Sequence, residues 1–236
     1  MEDRIAKQKL NVILLVDTSR SMNGKRMEQV NNAVGDISKY LTALQEENVN
    51  IDFYLSILCF GTDAYWHMDQ KAISVKEYVH TPIKAHGQSN LHLAYKELNE
   101  VLKKESKGGM MPDFGGVAPI ILLLSDGHPS KGNVNEELEK LRSKPWFKVA
   151  LKYGIAIELD DTRTINILKQ FVSDNGDVIT SFKPNMLEKI IKIIVMTASK
   201  VKSQSANIVT NGTNSVLVEI QQEIKEALDD IDDWEW

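Results

Sequence analysis

The sequence is poor in the features of secreted, membrane-spanning and disulfide-stabilised proteins. It has one cysteine in 236 residues, which excludes a disulfide framework and a cysteine-rich zinc site and favours a reducing compartment. Its longest apolar runs, such as VILLV and IILLL, are too short to span a bilayer. The opening MEDRIAKQKL lacks the apolar stretch of a secretory signal. We therefore expect a cytoplasmic protein that does not insert into a membrane.

A clustered basic face with interleaved aromatic residues is also missing, so nucleic-acid binding has no support. Instead, negative charge is concentrated at one end of the chain. The formal net charge is −5, and the segment from Glu219 to Trp236 alone contributes −7, from eight acids and one lysine. The remainder of the chain therefore stands at +2. Such asymmetry indicates a tail with a role of its own.

Short apolar runs alternate with amphipathic segments along most of the chain. The first run, LNVILLVD at 10–17, is apolar on both faces, as is typical of a strand buried in a parallel sheet. Further strands are predicted in VNIDFYLSILCFG, AYWHM, VAPIILLLSDG, FKVALKYGIAIEL and VITSF, and helices over 25–47, 91–104, 134–143, 164–174 and 185–200. This alternation predicts an α/β fold with a doubly wound, mainly parallel sheet of about six strands and helices on both faces.

The composition changes near residue 202. We predict a folded domain over 1–201, a polar linker over 202–214 and an acidic, amphipathic tail over 215–236 whose apolar spacing favours a helix. Apolar residues of the tail recur at helical spacing: Ile220, Ile224, Leu228, Ile231 and Trp234. We expect this apolar face to dock in a groove of a partner or of its own domain. A solvated extension that keeps the protein soluble is the alternative.

Carboxylates and hydroxyls follow the predicted strands. Asp17, Ser19 and Ser21 come directly after the first strand. Asp126 ends the strand VAPIILLLS, and Ser89 precedes the helix that begins at residue 91. Regular winding places all of them at one edge of the sheet, where α/β proteins bind ligands.

Each of these features alone also fits a turn or a helix cap. Together they form a set of hard oxygen ligands that suits Mg²⁺, or another divalent cation such as Mn²⁺ or Ca²⁺, with an open position for an incoming carboxylate. A tail acid is a further candidate for that position.

Three loops carry a resemblance to a known family. The runs D-T-S-R-S at Asp17, G-Q-S-N-L at Gly87 and L-S-D-G at Leu124 resemble the metal-ion-dependent adhesion site (MIDAS) of von Willebrand factor A (VWA) domains. The resemblance covers residues 10–200 and implies the Rossmann-like VWA fold. More narrowly, VAPIILLLSDGHP, KPWFKVALKYGIAI and MTASKV resemble the bacterial TerY-type members associated with tellurium resistance.

The resemblance implies a role for each ligand. Ser19 and Ser21 would bind the metal directly, and Ser89 would take the place usually held by threonine. Asp17 and Asp126 would bind directly or through water.

Three further residues are predicted to line the rim of the site. Arg20 stands where glycine is more usual, and a long cation there is expected to tune which acidic partner binds. His86 and His128 flank the ligand loops. A histidine-ligated zinc site is disfavoured because the chain has neither HExxH nor paired CxxC spacing.

These residues predict a non-enzymatic, metal-dependent protein-binding module. Its partner would offer a carboxylate or a phosphate, and the resemblance implies stress or tellurite-resistance signalling with a kinase or phosphatase partner. An adaptor subunit of an ATP-driven chelatase or remodelling complex is one alternative. A Mg²⁺-dependent phosphohydrolase is another, although the chain lacks GxxxxGK[ST], GxSxG and the kinase HRD and DFG motifs.

Overall fold

The computed structural model describes residues 7–47, 50–127, 129, 132–158, 161–173 and 176–181, together with eight single residues between 189 and 226. The strands are β1 Gln8–Asp17, β2 Ile51–Phe60, β3 Ala64–Trp66, β4 Ile73–Ser74, β5 Ile120–Ser125, β6 Leu151–Ile157 and β7 Gly176–Ser181. The helices are α1 Lys25–Glu47, α2 Leu91–Val101, α3 Val134–Arg142, α4 Pro145–Val149 and α5 Thr162–Val172.

The strands form one sheet in the order β3-β2-β1-β5-β6-β7, and β4 pairs with β2. The pairs β1–β2, β1–β5, β5–β6 and β6–β7 are parallel. Only β3 and β4, in the part of the chain that the structure describes, run antiparallel to their neighbour β2. The predicted mainly parallel, doubly wound sheet is confirmed.

Apolar side chains fill both faces of this sheet. Along β1, Leu14 and Val16 belong to the cluster that packs against α1, whereas Ile13 and Leu15 belong to the cluster that packs against α2 and α5. Successive side chains of a strand point to opposite faces, so a strand covered on both sides is continuously apolar. This explains the unbroken run in the sequence and confirms the helices on both faces.

The order of the strands creates a crevice beside β1. From β1 the chain moves outward to β2 on one side, and β5, β6 and β7 extend the sheet on the other. The loops that leave β1 and β5 therefore diverge at a topological switch point, where open α/β sheets bind their ligands. The register pairs Val16 with Leu124, which brings Asp17 beside Ser125 at the carboxyl ends of the two strands.

One predicted strand is wrong at its start. The sequence suggests a single strand over 147–159, but Pro145–Val149 is a short helix and β6 begins at Leu151. Proline is favoured in the first turn of a helix because its missing N–H is not needed there. Phe147 is buried in the core from this helix, so its apolar character reflects helix packing rather than strand pairing.

The carboxy-terminal predictions lie mostly outside the described residues. Of the predicted helix 185–200, Lys189, Ile191, Lys192 and Val195 are described and helical, and Ile191 and Val195 are buried. The proposed tail-docking residues Ile220, Ile224, Leu228, Ile231 and Trp234 lie outside the described residues, and the domain and linker bounds stay predictions. None of the described helices is both long and apolar enough to cross a membrane.

Tyr95 provides a test of how the core is packed. Its ring stacks on Phe171 with centroids 5.7 Å apart, and its buried hydroxyl has no hydrogen-bond partner among the described residues. An unpaired buried polar group costs about 1–3 kcal/mol. We therefore expect Tyr95→Phe to raise the free energy of unfolding, measured by urea denaturation, by about 1 kcal/mol.

Leu122→Ala is the matched control, because Leu122 is fully buried in the central strand β5 and contributes only apolar contacts. It should lower the free energy of unfolding by about 2–5 kcal/mol. A destabilised Tyr95→Phe variant would contradict the packing described for this side chain.

Candidate metal centre

The five predicted ligands lie together at the carboxyl edge of the sheet. Asp17 is the last residue of β1, Ser19 follows it, and Ser21 lies in the 3-10 turn Arg20–Met22. Asp126 comes directly after β5, and Ser89 lies two residues before α2. Hydrogen bonds from these side chains and from the Ser19 backbone N–H join the five residues into one network.

Asp17 is the centre of this network. Its carboxylate is fully buried and accepts hydrogen bonds at Oδ1 from the Ser19 backbone N–H (2.8 Å) and at Oδ2 from the Ser89 and Ser125 hydroxyls (both 2.8 Å). Burial raises the pKa of Asp17, and the hydrogen bonds from Ser19, Ser125 and Ser89 oppose that shift. The carboxylate is thereby fixed in orientation by donors from two loops and from the end of β5.

The second half of the network connects the two ligand loops. The hydroxyl oxygens of Ser19 and Ser21 are 3.0 Å apart, and the Ser21 hydroxyl donates to Asp126 Oδ1 at 2.8 Å. Asp126 is buried, whereas Ser21 is exposed. The site is therefore open to solvent on the side of Ser21 and closed beneath Asp17 and Asp126.

Close backbone contacts bring the Ser89 loop to β1. The His86 N–H donates to Thr18 O at 2.5 Å, and the Arg20 N–H donates to Gly87 O at 3.2 Å. Gly61, just after β2, lies so close that a Cβ would be 2.7 Å from His86 O and 2.9 Å from Thr18 Oγ1. The Ser89 loop thus packs against the residue that follows β2. The pattern of the sequence does not reveal this contact.

Two of the three predicted rim residues are described, and both are more exposed than the buried ligands. Arg20 and His86 are exposed beside the ligand loops, and the His86 ring lies 6.2 Å from the Tyr65 ring between centroids. His128 lies outside the described residues. The assignment of these three residues to a partner-binding rim stays a prediction.

Sequence reasoning missed a cation and a third carboxylate at this edge. Arg26, in the first turn of α1, contacts Asp126 Oδ2 with Nη1 at 2.5 Å and Glu158 Oε2 with Nε at 3.3 Å. Glu158 follows β6 and also accepts a hydrogen bond from Gln29 Nε2 at 2.9 Å. The available signal for Glu158 was its position after a strand of the same sheet, next in order to β5.

The donors fit a hard divalent cation. Two carboxylates and three hydroxyls supply oxygen ligands only, which is the chemistry that Mg²⁺ selects. Within the described ranges, no cluster of three or more His, Cys, Asp or Glu side chains is placed to hold a metal. A site built on serine hydroxyls and two aspartates is therefore the best-supported metal site of the described structure.

The comparison with protein families agrees with this geometry. The family model for the von Willebrand factor type A domain matches residues 11–194. The chain belongs to the VWA domain family, a family of metal-dependent protein-interaction modules.

Individual relatives and solved structures match a large part of the chain. Inter-alpha-trypsin inhibitor heavy chain H6 of Homo sapiens is 30% identical over 179 residues, which are 71% of this chain and 13% of that protein. The solved von Willebrand factor type A protein from Catenulispora acidiphila has a TM-score of 0.62 at 12% identity and covers 82% of this chain and 43% of its own.

A second solved structure also shares the fold. Proximal thread matrix protein 1 from the mussel byssus, described with a zinc-occupied MIDAS motif, has a TM-score of 0.56 at 17% identity and covers 82% of this chain and 48% of its own. The likeness to both solved structures shows the fold. The chain spans 13% of the length of the curated relatives it matches.

Substitution of Gly87 tests how closely the Ser89 loop packs against the turn after β2. Its φ is +83°, and a Cβ there would lie 2.2 Å from Thr62 Oγ1. Gly24 is a matched control, because its φ is +81° but a Cβ would meet nothing within 4 Å. We expect Gly24→Ala to cost about 1–2 kcal/mol of unfolding free energy for the backbone alone. Gly87→Ala should cost at least about 1 kcal/mol more through overpacking. Equal losses in urea denaturation would contradict this close packing.

Proposed function

We propose that this chain is a non-enzymatic, metal-dependent binding module that recruits a protein partner through a carboxylate or a phosphate. The observation that carries the proposal is the convergence of Ser19, Ser21 and Ser89 on two buried aspartates at the switch point of the sheet. The oxygen-only donor set and membership of the VWA family both support it.

Each ligand residue has a role in this proposal. The hydroxyls of Ser19 and Ser21 would hold the cation directly, and Ser89 would contribute the hydroxyl that the family usually takes from threonine. Asp17 and Asp126 would bind directly or through water. Mg²⁺ is the proposed cation, with Mn²⁺ or Ca²⁺ as substitutes, and the zinc-occupied MIDAS of the mussel protein supports a divalent ion. The bound cation would supply a Lewis-acidic position for an anionic ligand.

The charge around the ligand loops favours an anionic partner. Among the described residues, three exposed cationic side chains lie in or beside the loops, namely Arg20, Lys25 and Lys84. Two exposed acids lie near them, Asp63 in the turn after β2 and Glu28 in the first turn of α1. Opposite charge speeds encounter and selects partners more than it strengthens the final complex. We therefore assign these side chains to partner selection and the metal site to affinity.

Binding without turnover agrees with how the carboxylates are engaged. Asp17 accepts three hydrogen bonds, Asp126 is paired with Ser21 and Arg26, and Glu158 is held by Arg26 and Gln29. These donors fix the orientation of all three carboxylates, as the holding of a ligand requires. This supports a binding role.

The proposal also includes a cellular role, a class of partner and a compartment for this chain. The segments that resemble TerY-type members support a role in stress or tellurite-resistance signalling, with a kinase or phosphatase as partner. The single cysteine supports a cytoplasmic setting.

Metal binding by the two hydroxyls gives the test. Isothermal titration of Mg²⁺ and Mn²⁺ should show one site per chain. The variant Ser19→Ala/Ser21→Ala should bind at least about tenfold more weakly, because two direct ligands are lost. Ser38→Ala is the control, since that hydroxyl donates to Gly35 O within α1 and is not part of the site network.

Partner recruitment is measured with the same proteins. The immobilised wild-type chain should retain its partner in Mg²⁺ and release it in EDTA, and the double serine variant should retain none. A partner that stays bound in EDTA, or to the double variant, would contradict a metal-dependent module.

A further inference from the structure

Arg26 is a cation built into the metal site. Its Nη1 lies 2.5 Å from Asp126 Oδ2 and 3.1 Å from Ser21 O, so a single guanidinium contacts two of the ligand residues. Its Nε lies 3.3 Å from Glu158 Oε2, and its side chain is 27% exposed. None of the ligand loops supplies this residue; it comes from the first turn of α1.

Both oxygens of Asp126 already have partners. Oδ1 accepts from the Ser21 hydroxyl, and Oδ2 accepts from Arg26. The Asp126 side chain is fully buried, and a buried charge is costly unless it is paired. Arg26 therefore stabilises the buried, charged form of Asp126. The same guanidinium repels any second cation that approaches Oδ2.

Glu158 gives Arg26 a second place to bind. The residue has φ 51°, in the left-handed region where glycine is favoured, and non-glycine residues there carry strain of about 1–3 kcal/mol. Its carboxylate is nonetheless held on both oxygens, at Oε1 by Gln29 and at Oε2 by Arg26. Strain of this kind persists where the surroundings fix the residue, and it clusters at functional sites.

The formal charges are matched to a divalent ion. Asp17, Asp126 and Glu158 contribute three negative charges, and Arg26 offsets one. These four groups together thus carry two negative charges, which a divalent cation neutralises. Without Glu158, the guanidinium and the ion would compete for Asp126 alone.

We propose that Arg26 is an internal competitor of the metal: it pairs with Asp126 in the absence of the ion and transfers fully to Glu158 when a divalent cation takes Asp126. Arg26 then weakens metal affinity, and Glu158 restores part of it by accepting the displaced guanidinium. This inference rests on the proposed metal-binding function and adds a residue pair that sets its affinity.

The test compares Mn²⁺ affinity by isothermal titration in single and double variants of the full chain. Arg26→Met keeps the aliphatic stem and removes the charge, and its Kd should fall about tenfold. Glu158→Gln leaves Arg26 with Asp126 alone, and its Kd should rise about tenfold. In the Arg26→Met background, Glu158→Gln should change the Kd far less, because no guanidinium remains to be accepted.

Lys39→Met controls for net charge. Lys39 lies on the same helix α1, pairs with Asp36 and is 77% exposed, so its removal should leave the Kd unchanged. Urea denaturation without metal provides a second readout. Arg26→Met should be less stable than wild type there and should regain stability as Mn²⁺ is added, because Asp126 loses one cation and gains another.

The outcomes separate this inference from the function on which it rests. If wild type binds Mn²⁺ and Arg26→Met binds equally or more weakly, Arg26 only orders Asp126 and the competition is overturned, while the metal site stands. If Arg26→Met does not fold, the Glu158→Gln variant decides. A wild-type affinity of that variant for Mn²⁺ would equally overturn the competition between Arg26 and the metal. If neither wild type nor Arg26→Met binds Mn²⁺, the proposed function fails and the inference with it.

Discussion

The buried carboxylate of Asp17 is the constraint on which the site depends. A carboxylate that is removed from water must have its oxygens satisfied by donors. Here the donors come from the loop after β1, the loop before α2 and the end of β5. Loops far apart in the chain are thereby tied to a single group. These connections hold Ser19 and Ser89 beside Asp17, and the Ser21 hydroxyl, which contacts Ser19 and Asp126, lies on the exposed side of the site.

The sheet order and the charge balance act together at this edge. Because β1 lies between β2 and β5, the loops that leave its carboxyl end and that of β5 open a crevice instead of closing over it. The next strand, β6, adds Glu158 to the same edge, and α1 adds Arg26. The site is therefore a set of ligands together with a cation and an additional acid that determine how strongly the ligands attract a metal.

The convergence of the ligands could be predicted from sequence because each is attached to a strand or helix end whose place in a parallel sheet is fixed. Asp17 ends one largely apolar strand, Asp126 directly follows another, and Ser89 precedes a helix with a clear apolar period. Arg26 could not be predicted, since its contact with Asp126 depends on the rotation of α1 over the sheet. The contact of Glu158 with Arg26 depends on a left-handed backbone conformation just after β6, and the sequence has no glycine there to indicate it. The start of β6 was misplaced because Phe147 is equally apolar in a helix that packs on the core.

The most direct test of the account is the position of a bound ion. Crystals grown with Mn²⁺ and measured at the manganese absorption edge should show one anomalous peak per chain, within coordination distance of the Ser19 and Ser21 hydroxyls and beside Asp126. The Arg26 guanidinium in that structure should contact Glu158 and no longer Asp126. An anomalous peak elsewhere on the surface, with the network between Asp17, Ser89 and Asp126 unchanged and empty of metal, would contradict it.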